Sequence, residues 1–66
     1  MKLFEYAILK HPTSEGKKKG EKTTIIVQPT TVLAPDQNSA AMLAGRAIPE
    51  EELGNLDHLE VVLRPF

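Results

Sequence analysis

The stretch Leu59-Glu60-Val61-Val62-Leu63-Arg64-Pro65-Phe66, at the end of a 66-residue sequence, decides the fold. It alternates with period two, which predicts a strand, and it places Leu59, Val61 and Leu63 on one face as the predicted core face. We expect this strand to be anchored within a sheet, since an unanchored terminus would fray. Pro65 lacks a backbone N–H, so pairing is expected to end there or to lie at an edge. Phe66 is therefore predicted to lie against a neighbouring subunit or the second sheet face, outside the helix-facing core.

A helix is predicted before this strand. Ala34-Pro35-Asp36 favours a helix start, with Pro35 at the first position and the Asp36 carboxylate near the first amides. The helix is expected to run to about Ile48, because Pro49 pushes the preceding residue out of the α region. Its apolar stripe is mostly small: Ala40, Leu43, Ala44, Ala47 and Ile48. A stripe of this kind lets a helix lie close to a sheet, and one further turn is expected at 50–53.

The first half of the chain predicts strands. The segment Lys2 to Lys10 has a period-two pattern and contains aromatic and β-branched residues. The segment Thr23 to Gln28 has the highest strand propensity in the sequence. Pro29 is expected to end or bend the second strand, after which Thr31 to Leu33 forms a short third strand or a bridge into the helix. Residues 11–21 contain Pro12, two glycines and no large apolar group, and predict a flexible, lysine-rich loop. The predicted fold is a single α+β domain over residues 1–66, a small antiparallel-type sheet in the order β-β-(β)-α-β with one helix on one face.

One helix covers one face of such a sheet, so the second face is a candidate interface. That face carries either Phe4, Tyr6 and Ile8, or else Leu3, Ala7 and Leu9, together with Val62. The interface hypothesis names Phe4, Tyr6, Ile8, Val62 and Phe66. In the alternative, the long loop and the residues around Leu56 fold over this face. Since a chain of this size has a small core and no cysteine for a disulfide, association into a homo-oligomer is the expected route to stability.

Charge divides the sequence into two ends. Residues 10–22 hold five lysines against two glutamates, and residues 36–60 hold six acids against one arginine. The net charge of -1 argues against a nucleic-acid partner held by overall electrostatics. The lysines of the loop are a candidate contact for an acidic surface or a phosphate: Lys17, Lys18, Lys19 and Lys22. No apolar run approaches the roughly 20 residues of a membrane span, and a soluble, cytoplasmic chain is expected.

No catalytic, cofactor or metal site is predicted. The segment Gly16 to Thr23 departs from the phosphate-binding P-loop, because three residues separate its glycines, Glu21 is inserted, and a strand rather than a helix follows. Three adjacent glutamates, Glu50, Glu51 and Glu52, point in different directions on a helical turn and do not converge on one ion. His58 beside Asp57 has no nucleophile tied to it. The sequence indicates that the protein is not an enzyme.

Three segments carry a resemblance: Lys2-Leu3-Phe4-Glu5-Tyr6-Ala7, Arg46-Ala47-Ile48-Pro49-Glu50-Glu51, and the closing Leu59 to Phe66. With them, the chain resembles a set of small proteins of similar length encoded by tailed bacteriophages. The resemblance carries no catalytic motif, so it assigns no functional residue. It implies a context, the host cytoplasm during infection and the assembled virion.

The leading hypothesis is a small phage-type structural or interaction protein that associates with itself and has a capsid or another virion protein as a candidate second partner. The alternative is a phage-encoded inhibitor or sequestering protein that binds a host factor or a phosphorylated small molecule through the lysine loop.

Overall fold

The sheet is built around the first strand of the chain. A computed structural model describes all 66 residues. The elements follow in the order β1 (Lys2–Lys10), α1 (Ser14–Lys18), β2 (Thr24–Ala34), α2 (Gln37–Gly45), a 3₁₀ segment (Glu50–His58) and β3 (Leu59–Pro65). The three strands lie in the order β2-β1-β3, and β1 pairs with both neighbours in antiparallel fashion. The predicted α+β class, with a small antiparallel sheet and a helix on one face, is confirmed.

The terminal strand lies at an edge of the sheet. β3 pairs with β1 from Phe4 opposite Pro65 to Lys10 opposite Leu59, without a register shift. Its other side has no neighbouring strand. The expected anchoring is therefore present on one side only. Pro65 lies on an edge strand, as its missing N–H predicts, and the pairing continues past it to Phe66.

The second strand continues through its proline. β2 spans Thr24–Ala34 as one element, so the separate third strand considered for Thr31 to Leu33 is part of β2. The register shifts between Tyr6 opposite Thr30 and Ile8 opposite Val27, and Gln28 and Pro29 have no opposite residue in the ladder. A bulge at this point accommodates the proline without ending the strand.

The helix is shorter than predicted at both ends. The Ser39 N–H donates to Asp36 Oδ1 at 2.8 Å, so Asp36 is the N-cap and Pro35 precedes the helix. After Gly45 the hydrogen bonds are of the 3₁₀ type, between residues three apart. The Ala47 N–H donates to the Ala44 carbonyl at 3.0 Å, and the Ile48 N–H donates to the Gly45 carbonyl at 3.3 Å. Ala47 and Ile48 still pack against the core, so the predicted stripe is correct although its last turn is not α-helical.

The core is formed by large side chains of the sheet beneath small side chains of the helix. Phe4, Tyr6 and Ile8 of β1 are buried and face α2, whose Ala40 and Ala44 are fully buried. Of the predicted core face of β3, Leu59 and Leu63 pack against these clusters, whereas Val61 is exposed and does not. The assignment of Phe4, Tyr6 and Ile8 to an interface is wrong. Alanines on the helix leave room for aromatic and branched residues on the sheet, and burying each of these contributes roughly 1.5 to 3 kcal/mol.

The segment 11–21 contains a short helix instead of an irregular loop. Thr13 caps α1, because its Oγ1 accepts the Gly16 N–H at 3.0 Å. Gly20 has a φ of 87°, a left-handed conformation that glycine adopts without strain, and Glu21 N–H then returns to the Gly16 carbonyl at 2.8 Å. These hydrogen bonds give the lysine-rich segment a defined turn before β2.

Candidate interaction surface

One face of the sheet has no helix packed against it. We call this surface the open face; it consists of Leu3, Glu5, Ala7, Leu9, Ile25, Thr31, Leu33, Glu60, Val62, Arg64 and Phe66. Residues opposite each other in an antiparallel ladder share a face, so the pairing places these side chains together. The Phe66 N–H donates to the Leu3 carbonyl at 3.0 Å, which extends the ladder to the last residue.

The open face is organised in rows that run across the strands. Leu33, Leu3 and Phe66 form an apolar row, followed by a row of Thr31, Glu5 and Arg64. The next row contains Ala7 and Val62, with Pro29 of the bulge beside them around a shallow depression. Ile25, Leu9 and Glu60 form the row beyond. Apolar rows therefore alternate with rows that contain charge.

The large apolar side chains of this face are exposed. Leu33 is 57% exposed, Ile25 is 52% exposed and Phe66 is 73% exposed. Leu3 and Val62 are also exposed. Two of the five residues in the interface hypothesis, Val62 and Phe66, thus lie on the open face, and the other three lie in the core. Of the two sets proposed for the second face, the structure places Leu3, Ala7 and Leu9 there.

The charged groups of the open face are paired within the chain. Arg64 Nε donates to Glu5 Oε1 at 2.8 Å, and Arg64 Nη2 lies 2.6 Å from the same oxygen. His11 Nε2 lies 2.7 Å from Glu60 Oε1, and His11 Nδ1 lies 2.8 Å from Thr23 Oγ1. The first pair joins β1 to β3, and His11, which follows β1, joins β3 to the residue before β2. Each charged side chain of the face therefore has a polar partner within the chain.

The chain exposes more surface than a compact protein of its size. Its accessible area is 4841 Å², whereas about 4,200 Å² is expected for this mass. The radius of gyration is 13.1 Å, against about 11 Å for a compact domain of this length. The molecule measures 44 × 20 × 15 Å, so both differences reflect an elongated, thin shape.

The lysine-rich segment does not contribute to the open face. Lys17, Lys18, Lys19 and Lys22 are exposed around α1 and the turn that follows it. A shallow depression near them is lined by Lys10, His11, Pro12, Glu21, Lys22 and Thr24. Lys10 is bound to Glu52 and Glu21 adds a carboxylate, so this depression is poorly suited to an anion. As predicted, β2 follows the Gly16 to Thr23 segment instead of the helix that a P-loop requires.

The glutamates of the 3₁₀ segment have a structural role at one position. Lys10 Nζ donates to Glu52 Oε1 at 2.8 Å, and Asn55 Nδ2 donates to the same oxygen at 3.1 Å. Both hydrogen bonds lower the pKa of the Glu52 carboxyl, and the bond from Lys10 has the larger effect. Glu50 and Glu51 are exposed. No group of three or more histidine, aspartate or glutamate side chains is arranged to hold a metal ion.

The lowered pKa values of the Asp36 and Glu52 carboxyl groups predict that the fold is less stable in acid. The Asp36 pKa is lowered mainly by the backbone hydrogen bond from Ser39, as that of Glu52 is by Lys10. A carboxyl group whose pKa is lower in the folded chain stabilises the fold fully at pH values above its pKa in the unfolded chain, about 4 to 4.5. This stabilisation is lost as the pH falls through the lower pKa of the folded chain. The urea midpoint should therefore be level from about pH 7 to about pH 5 and fall below that. Glu52→Gln should lower the neutral-pH midpoint and reduce the fall, while Glu51→Gln should leave both unchanged.

Sequence reasoning missed the cross-strand pairs of His11 with Glu60 and of Glu5 with Arg64. Each pair is formed by residues far apart in the sequence that the ladder register brings together. The only sequence signal is the period-two position of each residue, which fixes its face but not its neighbour. The same register would have identified Leu3, Leu33 and Ile25 as partners on one surface.

Comparison with known proteins adds no assignment. The chain matches no protein-family model, and no curated protein and no solved structure matches it. None of its helices is long and apolar enough to cross a membrane.

Proposed function

We propose that this chain is a small structural protein that associates with itself through the open face. The observation that carries the proposal is the set of exposed apolar rows on a sheet whose other face is covered by α2. Exposed apolar surface of this extent marks an interaction site in soluble proteins. Two such faces pack together in the manner of a β-sandwich, with side chains interdigitating between sheets about 10 Å apart.

A second copy fits this face in area. The exposed surface exceeds that of a compact chain by roughly 600 Å², and a standard interface takes about 800 Å² from each partner. A second copy presents an open face of equal size, because it is the same surface. A copy of the chain is therefore large enough to cover it.

A second copy also fits in charge. The lysines of β1, Lys2 and Lys10, are on the opposite side of the strand from the open face. Of the charges that the open face does carry, Glu5 is paired with Arg64, and Glu60 has the His11 imidazole as a hydrogen-bond partner. Two open faces therefore meet with Glu5 and Arg64 already paired, which reduces the cost of burying these charges.

The setting of this function is a tailed bacteriophage, with the host cytoplasm and the virion as its locations. The resemblance of the opening and closing segments to small phage proteins supports this setting. A capsid or another virion protein is the second partner in the proposal. Abundance of the chain in purified particles, measured by mass spectrometry, tests that part separately.

Two lysines placed on the open face should disrupt the association. Ile25→Lys with Leu33→Lys introduces charge on β2 at positions that are already half exposed, so the fold should survive. We expect the native mass to fall to a smaller assembly and the concentration needed for association to rise at least about tenfold, since each buried apolar side chain contributes roughly 1.5 to 3 kcal/mol. Native mass spectrometry and sedimentation at several concentrations provide the measurement.

The matched control is Met42→Lys with Leu53→Lys. Both residues are exposed on α2 and the 3₁₀ segment, away from the open face, and the change in net charge is the same. This variant should assemble as the unchanged chain does. A native mass of one chain at micromolar concentration for the unchanged sequence would overturn the proposal, and so would equal loss of assembly in both variants.

The alternative function, an inhibitor that binds through Lys17, Lys18, Lys19 and Lys22, has weaker support. These side chains surround no enclosed cavity, and the nearest depression contains Glu21. The open face has the stronger physical basis.

A further inference from the structure

The free edge of β3 has unpaired backbone groups at alternate residues. In an antiparallel ladder, opposite residues that exchange hydrogen bonds alternate with opposite residues that do not. His11 N–H donates to the His58 carbonyl at 2.8 Å, as Phe66 N–H donates to that of Leu3 at 3.0 Å. By this alternation, Glu60, Val62 and Arg64 direct their backbone groups toward β1. Val61 and Leu63 therefore direct theirs outward, whereas the Leu59 N–H donates to the Leu56 carbonyl.

The two edges of the sheet differ in their ability to accept another strand. β2 is interrupted by the bulge at Gln28 and Pro29, a feature that blunts an edge against pairing. β3 is regular along its length and carries a proline only at its last residue. No strand covers its outer side. β3 is therefore the edge at which the sheet can be extended.

The sequence of β3 is complementary to itself when two copies run antiparallel about Val62. In this register Glu60 lies opposite the partner's Arg64, and Arg64 lies opposite the partner's Glu60. Val61 and the partner's Leu63 are then opposite, and both have outward backbone groups, so they exchange hydrogen bonds. The Leu59 N–H already donates to the Leu56 carbonyl and Pro65 has no N–H, so the pairing uses the outward backbone groups of Val61 and Leu63. A shift of two residues in either direction would place Val62 opposite a charged residue and lose this match.

The charges also fit the pairs within each chain. The side chain of Arg64 is 72% exposed and that of Glu60 is 56% exposed while each holds its own partner. Opposite charges directly across a pair of strands contribute roughly 0.2 to 1 kcal/mol, and like charges destabilise. Antiparallel pairing would bring Glu5, Arg64 and the partner's Glu60 into one line, so that Arg64 lies between two carboxylates.

We propose that two copies of the chain join through their β3 strands, which run antiparallel about a two-fold axis at Val62. The result is one continuous sheet with three strands from each copy. This inference rests on the proposed self-association and adds a second contact to it. Pairing at the edge places two open faces side by side, and these in turn pack on another pair. The smaller assembly left by the Ile25→Lys and Leu33→Lys variant is then the β3-paired dimer.

A charge-reversal experiment in that open-face variant tests the register. Glu60→Arg alone places arginine opposite arginine, and Arg64→Glu alone places glutamate opposite glutamate. Each reversed chain should dissociate to a monomer, with the dissociation constant raised at least about tenfold, since two contacts per dimer change from attraction to repulsion. An equal mixture of the two chains should restore the dimer as a heterodimer, which native mass spectrometry separates from either homodimer by mass.

The control reverses charges away from the strand. Arg46→Glu and Glu51→Arg, both at exposed positions, should remain dimeric alone and show no preference for the heterodimer. Hydrogen exchange of the chain without charge reversal gives a second measurement that does not depend on the variants. The amides of Val61 and Leu63 should be protected in the dimer and exchange at least about tenfold faster on dilution to the monomer, while that of Val62 stays protected by β1.

The two proposals fail in different ways. If the Ile25→Lys and Leu33→Lys variant is a monomer, or if mixing the reversed chains restores nothing, the β3 pairing is overturned while association through the open face stands. If the unchanged chain forms only the β3-paired dimer, the open face is not a contact between copies and the edge pairing stands.

Discussion

Ile8→Ala is expected to lower the free energy of unfolding by about 2 to 5 kcal/mol, the range found when a large buried side chain is truncated in a core. Ile8 is the largest side chain that is completely buried, with 0% exposure. It lies on the central strand between Val27 and Val61 and beneath Ala44. A small domain has little stability in reserve, so the loss should leave much of the chain unfolded at 25 °C. The urea midpoint followed by circular dichroism measures the effect.

Ile25→Ala is the matched control for this truncation. It removes the same atoms from the neighbouring strand, but its side chain lies on the open face and is 52% exposed. At a concentration where the open face is uncovered, the change should cost less than about 1 kcal/mol. Equal effects at both positions would contradict the assignment of the core to the α2 side. The same contrast distinguishes unfolding from dissociation: changes at Ile8 act on the subunit and changes at Ile25 act on the assembly.

Ala44→Leu is expected to destabilise the chain by about 1 to 3 kcal/mol, because extra methyl groups must be forced into a filled space. Ala44 is fully buried against Tyr6 and Ile8. Leucine has nearly the same helix propensity as alanine, so the cost comes from the contact between α2 and the sheet. Thermal unfolding should show a lower midpoint, and the near-ultraviolet signal of Tyr6 should change in the folded state.

Ala41→Leu tests whether that cost arises from the helix itself. Ala41 is exposed on the same helix, so leucine there meets solvent. The expected change is within about 0.5 kcal/mol. A similar loss at both positions would show that α2 does not lie as close to the sheet as its alanines indicate.

The sequence predicts the main elements because their periodicities are strong. The period-two pattern of Leu59 to Leu63 and the stripe of Ala40, Ala44 and Ala47 both follow from burial of one side of an element. Those predictions need no knowledge of neighbours. The helix begins two residues later than predicted, at Gln37 instead of Pro35, because Asp36 acts as the N-cap through its side chain.

The choice of face on β1 is harder to predict from sequence. Both sides of this strand carry apolar residues, so period two alone does not decide which side meets the helix. The deciding factor is volume, since the alanines of α2 leave space for Phe4, Tyr6 and Ile8. The presence of Glu5 on the other side is a second signal, because a carboxylate is disfavoured beneath an apolar helix.

Two local features had signals in the sequence. Thr13 followed by Glu15, with Lys17 and Lys18 in the last turn, is the pattern of a capped short helix. Pro29 was correctly identified as a point of irregularity, but β2 bulges there and continues. The cross-strand contacts of His11 and Arg64 depend on register, which no local pattern specifies.

The bulge at Pro29 limits how many copies of the chain can join edge to edge in one sheet. A sheet with two equally receptive edges adds copies without end, which is the geometry of a fibre. In this chain the two-fold contact consumes the receptive edge of both copies, and the remaining outer strands each carry a proline and unpaired residues. The proposed pairing therefore terminates itself after one step. An assembly that stops in this way has a fixed copy number, so a small chain with an exposed apolar surface would form a defined assembly instead of an aggregate.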